Sequence, residues 1–192
     1  MTRPIRAFVW LALALLLASS VRAAEPIAPA STIWLGGAQL KGKIPGAGSG
    51  GGPADLELLF GPNGGAGLAA DEFHLIADDG TVAFDVVGTY GVDAKGQPVL
   101  MPDTVALADE LKVLMQHICE ELVGLSAGCS QIATLDVLYP SPLQIKVKTK
   151  APNGAVPTLQ LSAKLPFVLT DGMDAVKVSL SIKSSPPAEL QP

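Results

Sequence analysis

Residues 124–128 read Gly-Leu-Ser-Ala-Gly. This is the G-x-S-x-G spacing that lifts a serine hydroxyl for nucleophilic attack when it sits on a sharp strand-to-helix turn. Such an elbow needs a strand before Ser126, a helix after it and an imidazole within hydrogen-bond reach. Here the order is reversed: the residues before Gly124 have helical periodicity, and a strand begins near Gln131. In that fold the histidine follows the nucleophile, yet both histidines, His74 and His117, precede Ser126. His117 also falls on the polar side of the helix. A glycine that ends a helix, followed by a turn returning Cys129 toward Cys119, accounts for the same residues. The expectation is a helix stop.

Other chemistry is equally sparse. Cys119 and Cys129 are the two cysteines; they lack C-x-x-C spacing and have no further ligand nearby, so a structural disulfide is expected. Two isolated histidines do not make a zinc set. Asp78-Asp79-Gly80 fits turn chemistry better than a calcium loop, because no spaced array of acids follows it. The glycine-rich run at 45–55 lacks the G-K-[ST] of a phosphate cradle and reads as a flexible loop. Glu120 and Glu121 are adjacent and solvated. No catalytic, cofactor-binding or metal-binding residues are assigned, and the chain is expected to be non-enzymatic, with no cofactor.

The first residues predict a compartment. Arg3 and Arg6 precede an uncharged apolar run, Ala7 to Ala18, and Val21-Arg22-Ala23 supplies small residues for a signal-peptidase cut before Ala24. The run is short for a membrane anchor. Residues 1–23 are thus expected to be a cleaved Sec-type signal peptide, residues 24–30 a flexible spacer, and the mature chain periplasmic or secreted. All three arginines lie in that leader, leaving ten lysines against 18 acids, a formal charge of −8. Without arginine forks or an overall basic balance, nucleic-acid binding is not expected. The charge is uneven: residues 24–140 sum to −11, and residues 141–192 to +3.

Period-two alternation dominates the rest. Strands are expected over 31–44, from 56 to about 61, over 71–77, 81–92 and 99–101, and in four later stretches, 131–140, 142–150, 157–169 and 173–183. In the last, Val176, Val178, Leu180 and Ile182 alternate with Lys177, Ser179, Ser181 and Lys183. One segment breaks the pattern. From Thr104 to Val123, Leu107, Leu111, Leu114, Met115, Ile118 and Leu122 recur at helical spacing, with Asp103 or Thr104 as N-cap and Gly124 as C-cap. The tail, 185–192, reads as disordered.

The expected fold is mainly β: an antiparallel β-barrel, or a sandwich, of about 8–9 strands with one amphipathic helix, forming a single domain over 31–184. Few aromatics, the long amphipathic helix and a polar tail argue against a membrane-spanning barrel. Trp34 near the mature start, Gly88-Thr89-Tyr90 and the strand rhythm over 31–125 resemble bacterial secreted lipocalin- or calycin-like barrels. Two features depart from that pattern: Gly36 follows Trp34 where a G-x-W order belongs, and the helix lies mid-chain. The resemblance implies a carrier of a small apolar or amphipathic ligand and transfers no binding residues. The alternative is an envelope interaction protein with a filled core, acting through its outer surface. For that surface the candidates are Lys146, Lys148, Lys150, Lys177 and Lys183, which would meet an acidic partner or lipid headgroups, or else simply protect a sheet edge from pairing.

Overall fold

The computed structural model describes residues 32–61, 68–124, 127–139, 143–150 and 156–191. The expected leader and spacer, 1–23 and 24–30, and Ser126 lie outside them.

Alternation builds the wall. Strands β1 (Thr32–Ile44), β3 (Pro53–Phe60), β4 (Glu72–Asp78), β5 (Ala83–Val92), β6 (Pro98–Pro102), β8 (Ile145–Lys150), β9 (Thr158–Thr170) and β10 (Ala175–Ser184) pair antiparallel in that order. β10 then pairs with β1, Ala38 opposite Ser184 and Lys43 opposite Ser179. The result is a closed eight-stranded antiparallel barrel, so the expected barrel forms and the sandwich does not. Inward residues such as Leu56, Leu58, Phe73, Leu75, Phe84 and Val86 are buried, while Asp55, Asp78, Asp85 and Thr89 between them face out.

The chain between β6 and β8 covers one end. Helix α1 (Thr104–Val123) starts at Asp103, whose carboxylate accepts from the N–H groups of Val105 and Ala106, and stops at Gly124, where φ is 78°. Its buried stripe is Leu107, Leu111, Leu114, Met115, Ile118 and Cys119. Gly42 of β1 lets it come close: a Cβ there would lie 2.6 Å from Ile118 Cδ1. Cys119 bonds to Cys129, Cα atoms 5.6 Å apart, tying α1 to the single turn α2 (Ala127–Ser130).

Four expectations need correction. The glycine-rich run at 45–55 is not all loop, because β2 (Gly48–Gly50) folds back on Gly42–Ile44 and β3 begins at Pro53. Residues 131–140 are not one strand: a 3₁₀ turn (Gln131–Thr134) precedes the short β7 (Asp136–Leu138), which pairs with the end of β9. Val176 shares the inward parity of Val178 but is 40 % exposed, since it stands at the barrel rim.

Nor do residues 185–191 of the expected disordered tail, 185–192, lack structure. β11 (Ala188–Leu190) sits between β1 and β9, with Trp34 opposite Leu190 and Ala188 opposite Leu159. Pro186 and Pro187 cannot donate to a ladder, and Ser184 compensates. Its hydroxyl accepts from Leu161 N–H at 2.9 Å and donates to Leu161 C=O at 3.3 Å. Gly36 leaves room for this bulge, as a Cβ there would lie 2.8 Å from Ala188 Cα.

Candidate functional site

The strands divide the outer wall into two halves of opposite charge. β8, β9, β10 and β1, four neighbours in the ring, contain eight lysines and no Asp or Glu. β3, β4, β5 and β6 contain five acids, Asp55, Glu57, Glu72, Asp78 and Asp85, and no lysine. Alternation puts the lysines outside: Lys146, Lys148 and Lys150 on β8, Lys164 on β9, Lys177 and Lys183 on β10, and Lys41 and Lys43 on β1 are all exposed.

The register fixes their spacing. Ser181 has Lys41 opposite it on one side and Lys164 on the other. Those two ammonium groups therefore straddle a strand, with backbones about 10 Å apart. Lysines two residues apart on one strand stand about 6.6 Å apart. Between them the wall presents Gln39, Gln160, Ser162, Ser179 and Ser181. The ion pair Lys112–Asp109 is the only one involving a lysine among the described residues, so none of these eight ammonium groups forms a direct ion pair there, and Lys146 acts on a nearby carboxylate, Asp93. Each stands within about one Debye length of the next, so their potentials add.

The structure thus brings all five expected lysines onto one surface and adds Lys41, Lys43 and Lys164. The alternation Leu40-Lys41-Gly42-Lys43 was a visible sign of outward lysines, but only barrel closure makes β1 a neighbour of β10. Closure narrows the edge-protection explanation: Lys183 lies within two-sided pairing, whereas Lys148, Lys150 and Lys177 lie beyond the β6 and β1 registers.

The interior is occupied by protein. Trp34, Phe60, Phe73, Phe84 and Phe167 are at most 2 % exposed and belong to one contiguous core with α1. Two clefts of about 420 and 380 Å³ lie on the outer surface of β1, β3 and β4 and share Asp55 and Asp78.

Several titratable groups off the lysine wall tie elements of the fold together. His74 Nε2 lies 2.5 Å from Asp85 Oδ1 on the acidic wall. His117 faces Glu121 at 3.5 Å and Asp79 at 3.9 Å, linking α1 to the β4–β5 turn. Glu120 accepts from the Gln116 amide. Burial, aided by Asp109, pushes the Tyr139 phenol up to about 12. Among the described residues no three His, Cys, Asp or Glu side chains are grouped to hold a metal, and no helix is long and apolar enough to cross a membrane.

Asp79 sets a pH limit. Burial raises its pKa, but N–H bonds from Val82 and Thr81 and the nearby His117 outweigh this and hold the carboxyl below its ordinary 3.8. A depressed carboxylate stabilises the fold above its unfolded value, and that contribution disappears as pH falls through the folded value. Urea unfolding of wild type should therefore lose stability between about pH 5 and pH 2 more steeply than Asp79→Asn does. Parallel pH profiles for the two proteins would refute the assignment.

No protein-family model matches the chain, nor does any curated protein or solved structure. The closed eight-stranded antiparallel barrel is compatible with a lipocalin-like fold.

Proposed function

We propose that this chain is an exported, non-enzymatic binding protein with a filled barrel, and that it works through its lysine wall on an anionic partner of the cell envelope or its surroundings. Of the two expectations, an apolar-ligand carrier or a surface binder, the second fits the geometry better. The observation that carries it is the segregation of eight lysines and no acid onto four adjacent strands. Such segregation holds unneutralised like charge together, which a chain of net negative charge has no need to do for solubility.

The supporting arguments are physical. The side chains that would line a carrier's cavity are packed against one another. Lysine without arginine supplies point charges and no planar forks, which suits recognition by charge density over a surface. One ammonium–anion contact at about 7 Å in water is worth roughly 0.6 kcal/mol, near threefold in affinity.

Replacing Lys164, Lys177 and Lys183 together by glutamine should accordingly weaken binding of dextran sulfate about thirtyfold, and the wild-type affinity should fall with added salt. Isothermal titration, with circular dichroism to verify the fold, measures this. Undiminished binding by the triple variant would reject the lysine wall. Native mass spectrometry of protein from its own host tests the carrier reading, and a co-purified apolar molecule would restore it.

A further inference from the structure

We infer that the partner of the lysine wall is a flexible, linear, acidic polysaccharide that wraps about half the barrel's circumference. This inference rests on the lysine-wall reading above and names its ligand.

The first argument is shape. The lysines span four of the eight strands of a closed ring. A convex surface of that extent meets a plane along only one or two neighbouring strands. An anionic bilayer seated on β10 would leave the lysines of β8 turned away from it. A flexible chain can follow the curvature and reach Lys148 on β8 and Lys41 on β1 at once.

The second argument concerns the residues between the lysines. Gln39, Gln160, Ser162, Ser179 and Ser181 offer hydroxyl and amide groups, which pair with sugar hydroxyls as readily as with water. The apolar side chains on the outer face of β9 amid the lysines are Pro166, which is exposed, and the half-buried Val168, neither a long side chain that could reach into a bilayer. Its ends carry Asp171 and Asp174 in the β9–β10 turn and Glu189 on β11, and these would repel an anionic plane pressed against the whole wall. A strand crossing the wall between them avoids that repulsion.

The third argument separates a glycan from a nucleic acid. Single-stranded nucleic acids are held by aromatic side chains that stack on bases. The aromatic residues of these four strands are Trp34 and Phe167, and both are buried inside. The wall therefore provides charge and hydrogen bonding with no stacking platform.

Galacturonate oligomers provide the test, titrated into the full mature chain beside dextran sulfate, oligo-dT and phosphatidylglycerol vesicles. A decamer should bind, and a dimer should bind at least tenfold more weakly. Lys148→Gln/Lys150→Gln on one margin and Lys41→Gln/Lys43→Gln on the other should each cost about tenfold with the decamer, and all four together about a hundredfold. Tighter binding to vesicles or oligo-dT than to the decamer would overturn the inference. So would equal affinity for dimer and decamer, or insensitivity to one margin. Binding of vesicles or oligo-dT that weakens when Lys164, Lys177 and Lys183 become glutamine would uphold the lysine wall without a polysaccharide, so failure of the polysaccharide assignment is distinguishable from failure of the lysine wall.

Discussion

Gly88→Ala should destabilise the barrel by about 3 kcal/mol or more, the upper end of what overpacking costs. An alanine Cβ at this point of β5 would lie 2.3 Å from Met101 O, 2.8 Å from Pro102 Cα and 2.9 Å from Phe73 Cε1. Two of the three are backbone atoms, so no side-chain rotation relieves the overlap, and β6 must move. β6 has little freedom to do so. It joins β8 through two register pairs, Val99 with Lys146 and Leu100 with Ile145, and the Gln97 side chain extends that seam by accepting from Thr149 N–H at 2.7 Å. Displacing β6 therefore strains the narrowest join in the ring. Gly52→Ala is the control, because nothing lies within 4 Å of its added carbon. Urea unfolding should show a large shift of midpoint for Gly88→Ala and almost none for Gly52→Ala. A Gly88→Ala protein within about 1 kcal/mol of wild type would show that the β5–β6 approach is looser than described.

Removing the disulfide should cost nearly as much. Cys119 and Cys129 are separated by ten positions, and closing a loop of that size restricts the unfolded chain by roughly 2.5 kcal/mol. Cys129 is fully buried and Cys119 nearly so, so the double serine variant also places two hydroxyls in an apolar setting. Cys119→Ala/Cys129→Ala separates the contributions, since it deletes the cross-link without adding polar atoms. Both variants should lose stability, the serine pair more. The local effect is specific: the bond holds the end of α1 over the barrel mouth, so hydrogen exchange should accelerate first in the last turns of the helix. Uniform acceleration throughout the barrel would contradict that placement.

Much of the architecture was readable from residue order. β8, β9 and β10 announce themselves by strict alternation, because each is wet outside and dry inside. α1 is set by six apolar residues at helical spacing between Asp103 and Gly124. What local pattern cannot contain is neighbourhood. The lysines of β8 and β10 are visible as alternating residues, yet nothing near Lys41 or Lys43 says that β1 lies against β10. The charge division of the wall is thus a product of closure, which the whole core decides. β11 was hidden for a different reason. Two prolines before it read as a breaker, and the pairing survives because the Ser184 hydroxyl substitutes for the missing ladder bonds. β2 was masked by glycines, whose lack of side chain leaves no alternation to read. Gly88 belongs to a recognisable Gly-Thr-Tyr run, but its steric role depends on β6 crossing beside it.

The seam between the earliest and latest strands has a temporal consequence. Ala38 meets Ser184 and Trp34 meets Leu190, so a nascent chain cannot seal its cylinder until β10 and β11 have emerged. Contacts this distant along the chain make for slow folding. During the delay β1 and β9 carry bare edges that could recruit another chain. A molecule truncated before residue 188 would keep such a gap permanently. The unpaired edges of β1 and β9 at that gap would offer other chains a place to pair.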